Sequence, residues 1–252
     1  MLIPPVALAG FWGLLAGSAL LVGAAAGFFT HVPERVHASV MAFGAGVLFS
    51  AISFELLDEA NRLGGAYTAA AGLLVGGAVF TLANMALARR GAAHRKRHNA
   101  SALGKAAAGN NGPAIAVGSL IDGIPESIAI GLTIVAGGAV STATVIAIFL
   151  SNIPEGLSSS AGLKTMGWSA GKVFGLWTAI AVVSGAASLA GYAVFSGLGA
   201  GTNAFVLALA AGGILAMLAD TMVPEAFSEE RSLSGIVTVI GFITSFLLSM
   251  LS

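Results

Sequence analysis

Two stretches of the chain repeat Ile-Pro-Glu inside long apolar sequence, "DGIPES" at 122–127 and "SNIPEG" at 151–156. In each, two polar side chains stand four residues apart, Asp122 with Glu126 and Ser151 with Glu155. That spacing puts both members on one face of a helix. A proline inside a helix removes one hydrogen bond and releases the carbonyl four residues back. For Pro125 and Pro154 those carbonyls belong to Ile121 and Leu150. Carboxylates beside freed carbonyls make an oxygen-rich cation site, and broken helices at membrane depth are tolerated where they line a cavity. A simple kink would explain either proline alone. It does not explain two, each followed by Glu, in helices that run in opposite directions.

The distribution of charge sharpens this expectation. Only 9% of the 252 residues are charged, 57% are hydrophobic, and the mean hydropathy is +0.94. A soluble globular protein carries about 25% charged residues, so the composition indicates an all-α integral membrane protein. The long unbroken apolar runs argue against the short alternating segments of a β-barrel. Of the 11 acidic residues, Glu55, Asp58, Glu59, Asp122, Glu126, Glu155, Asp220 and Glu225 fall within or at the ends of apolar segments; no Lys or Arg lies deep in one to neutralise them. An ionised carboxylate at the bilayer centre costs at least about 2.5 kcal/mol. Protonation or hydrogen bonding between helices would serve for acids at segment ends. The central ones imply a cation, a proton or a water-filled cavity.

A span needs roughly 20 apolar residues. The elements that must position these groups are therefore eight predicted spans, at 4–29, 37–60, 67–88, 113–137, 141–163, 172–195, 203–227 and 233–251, in one domain covering 1–252. The first has no basic leader before it and reads as a retained helix. Arg35, Arg89, Arg90, Arg95, Lys96, Arg97, Lys105, Lys164, Lys172 and Arg231 then fall on one side; Arg62 alone falls on the other. The positive-inside rule makes the richly basic side cytoplasmic and places both termini outside. The histidines, His31, His37, His94 and His98, are all assigned to cytoplasmic connections. The short connections suggest a multi-pass protein of a bacterial plasma membrane. Thirty-five glycines suit closely packed helices and are compatible with a homodimer. With no cysteine, disulfides and thiolate metal sites are excluded.

The second and seventh spans echo one another. "FELLDEA" at 54–60 closes the second and "DTMVPEA" at 220–226 closes the seventh. Their opposite orientation, in the first and last three helices, suggests an inverted repeat arranged 3+2+3, with the central pair also related by the pseudo-two-fold axis. On this reading Glu55 and Asp58 collect cations at an outer vestibule, and Asp220 and Glu225 accept them at an inner exit. The sixth span has no acid; Ser184 is its most plausible polar contributor.

These features together resemble the ZIP (Zrt-, Irt-like) family of divalent-metal transporters. The family hallmark is His-Asn-x-Pro-Glu-Gly on the fourth helix, with a related Pro-Glu motif on the fifth. Here the fourth-helix motif has Asp122 and Gly123 in the first two positions, the fifth begins with Ser151, and the seventh-helix His-Glu pair is Asp220-Thr221. The resemblance implies one principal metal site formed by Asp122, Glu126, Ser151 and Glu155, with Asn152 adjacent, and transport of Zn²⁺, Mn²⁺ or Fe²⁺, with Co²⁺ or Cd²⁺ also in range. Loss of imidazole shifts an all-oxygen site toward harder ions such as Mn²⁺ and Fe²⁺.

Two other readings stand beside a carrier: a divalent-cation channel, and a membrane metal sensor that does not transport. An intramembrane hydrolase would need Asp122 or Ser151 as nucleophile with no histidine base in the membrane, so the chain is not expected to be an enzyme. Nor does the sequence point to nucleic acid. In the long basic connection 89–112, His94 and His98 are separated by Arg95-Lys96-Arg97, which repel a cation. That connection reads as an anchor touching anionic membrane lipid.

Overall fold

The computed structural model describes residues 3–87, 89, 112–137, 140–227 and 231–251. His94, His98, Glu229 and Glu230 lie outside the described residues, as does most of the basic connection. All regular structure among the described residues is helical. The order is α1 (Pro5–Phe29), α2 (Glu34–Ala51), a π-turn (Ile52–Leu56), α3 (Leu57–Leu87), α4 (Gly112–Gly137), α5 (Thr142–Thr165), α6 (Ala170–Phe195), α7 (Ala200–Met217), a second π-turn (Leu218–Met222), α8 (Val223–Ala226) and α9 (Arg231–Leu251). Six helical stretches among these residues are long and apolar enough to cross a membrane: 5–29, 34–87 taken through its bend, 115–136, 170–195, 200–226 and 233–251. The chain is thus an all-helical, multi-pass membrane protein.

Three sequence expectations are corrected. The turn expected at 61–66 reduces to one residue, Gly65, whose φ of 78° breaks an otherwise continuous helix; glycine enters that left-handed region without a Cβ clash. The helices do not break at Pro125 or Pro154, and both continue as α-helix through the proline. Room for the rings comes from neighbours without side chains. A Cβ on Gly213 of α7 would meet Pro125, and one on Gly44 of α2 would meet Pro154. Finally, α2 begins three residues earlier than expected, directly after Pro33, so Arg35 is helical rather than in a connection, and His37, expected at the edge of the span and counted with the connections, lies inside the helix.

The departures from α-geometry lie instead in the two echoing segments. Each π-turn inserts a wide turn within a longer helix, a feature frequent at functional sites. One contains Glu55 and the other Asp220. Ile52 and Leu218, which open the turns, stand 166 positions apart, and so do Gly46 and Gly212, Glu59 and Glu225, and the fully buried Ala60 and Ala226.

Helix packing follows the same internal symmetry. Helix α1 packs on α5 and α6, α4 on α6 and α7, α2 on α5 and α9, and α3 on α7. Exchanging α1 with α6, α2 with α7, α3 with α9 and α4 with α5 maps that pattern onto itself. Glycines set the closest approaches, because small residues let backbones touch in a bilayer. A methyl group on Gly46 would collide with the Thr238 carbonyl, and one on Gly212 with that of Leu73. One on Gly156 would strike the Leu20 carbonyl and one on Gly131 that of Ser188. This last pair relates α4 to α5 by 25 positions, whereas the two Ile-Pro-Glu motifs are 29 apart. The motifs are therefore offset by four residues, about one helical turn, and Ser151 rather than Glu155 is the packing counterpart of Glu126.

Candidate functional site

The centre of the bundle is α5, which touches α1, α2, α4, α6 and α9. Its polar residues keep it out of the apolar group above, yet most of its side chains are buried. Ser141, Thr144, Ser151, Glu155 and Ser158 recur at spacings that keep them on one helical face. Ser141 starts the helix: its Oγ accepts the Thr144 N–H at 3.1 Å, an N-cap bond. The same hydroxyl donates to Glu55 Oε2 at 2.6 Å. At the other end of that face, Ser158 Oγ donates to Glu225 Oε1 at 2.6 Å. One helix face thus holds a carboxylate at each end. Between Thr144 and Ser151 the polar lane is interrupted by the buried side chains of Val145, Ala147 and Ile148.

The central residues of both motifs lie inside. Asp122 is 1% exposed and Glu126 2%, so neither is solvated from outside the bundle. Ser151, Asn152 and Pro154 are buried, while Glu155 and Pro125 are half-buried. None of Asp122, Glu126 and Glu155 is without a partner. Ser151 Oγ donates to the Ile148 carbonyl at 3.0 Å, which leaves its lone pairs for another donor or a cation. Asn152 Nδ2 donates to the Ala16 carbonyl of α1 at 3.0 Å, joining helices across the bundle. Ser184 is buried between Gly17 of α1 and Gly123 of α4, next in sequence to Asp122. No group of three or more His, Cys, Asp or Glu side chains among the described residues is set to hold a metal ion. A cation here would combine fewer side chains with serine, carbonyl or water oxygens, or draw α4 and α5 closer together.

At the two ends the acids part company. Asp58 is exposed, whereas Glu55 is half-buried against Ser141. Glu59 forms a bidentate pair with Arg62, Nε to Oε2 at 2.7 Å and Nη2 to Oε1 at 2.5 Å. Asp220 is exposed, so it does not share the half-buried setting of Glu225. In its place the structure brings a residue assigned from sequence to a connection: His37, 4% exposed in the first turn of α2, lies with Nε2 3.6 Å from Glu225 Oε1. The signal for it was present in Pro33 and Glu34, since proline and an acid favour the start of a helix. No protein-family model matches the chain, and no curated protein matches it with significance.

Proposed function

We propose that the chain is a carrier of divalent metal cations of the ZIP type, an eight-span protein of the bacterial cell membrane with both termini outside. Eight spans follow when the stretch 34–87 is divided at Gly65 and the polar α5 is counted with the apolar helices. The pseudo-symmetric packing then becomes a 3+2+3 inverted repeat, as in other carriers. Glu55 belongs to the outer end and Glu225 to the inner end.

The observation that carries the reading is the polar face of α5, running from the Glu55–Ser141 bond past Ser151 and Glu155 to the Ser158–Glu225 bond. Asp122 and Glu126 are buried on α4, which α5 touches, and on this reading they supply two further carboxylates to the middle of the pathway. Ionisable groups inside a membrane mark ion pathways because their burial is so unfavourable. The apolar block at Val145 and Ile148 favours a gated carrier over an open channel. With no imidazole on the central motifs, the site suits Mn²⁺ or Fe²⁺ at least as well as Zn²⁺.

The test is metal uptake into proteoliposomes, comparing Zn²⁺, Mn²⁺, Fe²⁺, Co²⁺ and Cd²⁺ for the wild type and for Glu126→Gln/Glu155→Gln. Saturable uptake abolished in the double variant is the expected outcome. Wild-type protein that folds and binds metal but moves none would make it a sensor instead.

A further inference from the structure

The mid-span motifs lack imidazole, yet one buried histidine among the described residues faces a carboxylate across a helix interface. His37 stands in the first turn of α2 and Glu225 on α8, which pack together. The Nε2 to Oε1 separation of 3.6 Å is too long for a good hydrogen bond. It fits two ligands of one ion: atoms about 2.1 Å from a tetrahedral cation stand about 3.4 Å apart. Ser158 donates to the same carboxylate oxygen at 2.6 Å, the kind of support that orients a ligating group and tunes it.

We propose that His37 Nε2 and Glu225 Oε1 form a second divalent-cation site at the Glu225 end of α5, with Ser158 holding the carboxylate and water completing the coordination. One nitrogen and one oxygen donor suit Zn²⁺ and Co²⁺ better than the oxygen donors at mid-span do. Glu225 is half-buried rather than sealed, which leaves the ion a route. The site sits where the polar lane of α5 ends, so it would receive an ion leaving Glu155, three residues and just under one helical turn before Ser158; its role rests on the transport reading above.

The experiment measures Co²⁺ binding to the purified full-length chain by calorimetry and absorption. In the Glu126→Gln/Glu155→Gln background about one Co²⁺ should remain, and adding His37→Ala or Glu225→Gln should weaken it at least about tenfold. His37→Cys provides a gain of signal in a chain without cysteine: ligation at position 37 produces a Co²⁺–thiolate charge-transfer band. That readout holds even where His37→Ala fails to fold. If the double variant binds no Co²⁺ while the wild type does, the inference is overturned. The same holds if its Co²⁺ ignores both end substitutions and His37→Cys yields no band; His37 and Glu225 are then only an ion pair. In both cases uptake lost in the double variant leaves the transport reading standing. Wild-type protein that binds no Co²⁺ at all removes both.

Discussion

Segments 54–60 and 220–226 occupy the same place in the two halves of the molecule, and they solve the same problem differently. Both follow a π-turn opening, both end on a fully buried alanine, and both present a glutamate just before it. Glu59 turns to the exposed Arg62, three residues on in its own helix, while Glu225 turns inward to Ser158 and His37 on other helices. An arginine three residues on neutralises the first carboxylate locally. In the other half Thr221, the counterpart of Glu55, spends its hydroxyl on the Met217 carbonyl at 2.6 Å. The repeat therefore preserves backbone and packing but not charge partners, and function is expected where the partners come from distant helices.

The most disruptive way to probe this comparison is through the paired glycines. Gly46→Val and Gly212→Val each push a side chain into a carbonyl of the neighbouring helix and should each destabilise the bundle by about 3 kcal/mol or more. Thermal unfolding in detergent should show matched losses; a large loss at only one position would mean the two halves are not equivalent. The charge partners should separate the halves. Glu225→Gln is expected to lower metal uptake about tenfold, whereas Glu59→Gln, whose partner is exposed, should change it less than about twofold. Equal effects would erase the distinction drawn between the segments.

Smaller effects refine it. Ser141→Ala removes both an N-cap and the bond to Glu55, and should lower stability by about 1 kcal/mol. The bond to Glu55 is isolated by Glu55→Ala, which removes the acceptor and keeps the cap. Least of all, Gly65→Ala strains a left-handed backbone by about 1 kcal/mol, while Gly171→Ala, with open space around it, should leave the melting temperature unchanged.

Much of this organisation is legible in the chain because the solvent is hydrocarbon. Long apolar runs and the exclusion of Lys and Arg locate 4–29 and 172–195 within a few residues of α1 and α6. The echo of 54–60 in 220–226 is equally visible, since the residues that pack recur. The π-turns are not visible, because no residue type encodes them. Local punctuation misled at Pro33, read as part of a connection although it precedes the first turn of α2. His37 was lost with it. The bond from Asn152 to Ala16 was hidden for another reason, because the sequence does not say which neighbouring helix offers a carbonyl to a buried amide.

Gly65 has a mechanical consequence. Because one residue joins the segment ending α2 and its π-turn to the rest of α3, the two arms cannot separate at that end by more than about one Cα step of 3.8 Å. A tilt of the first arm is handed to the second, and α3 lies along α7. Gly65 is thus a short tether between the arm that carries Glu55 and the arm that packs along α7.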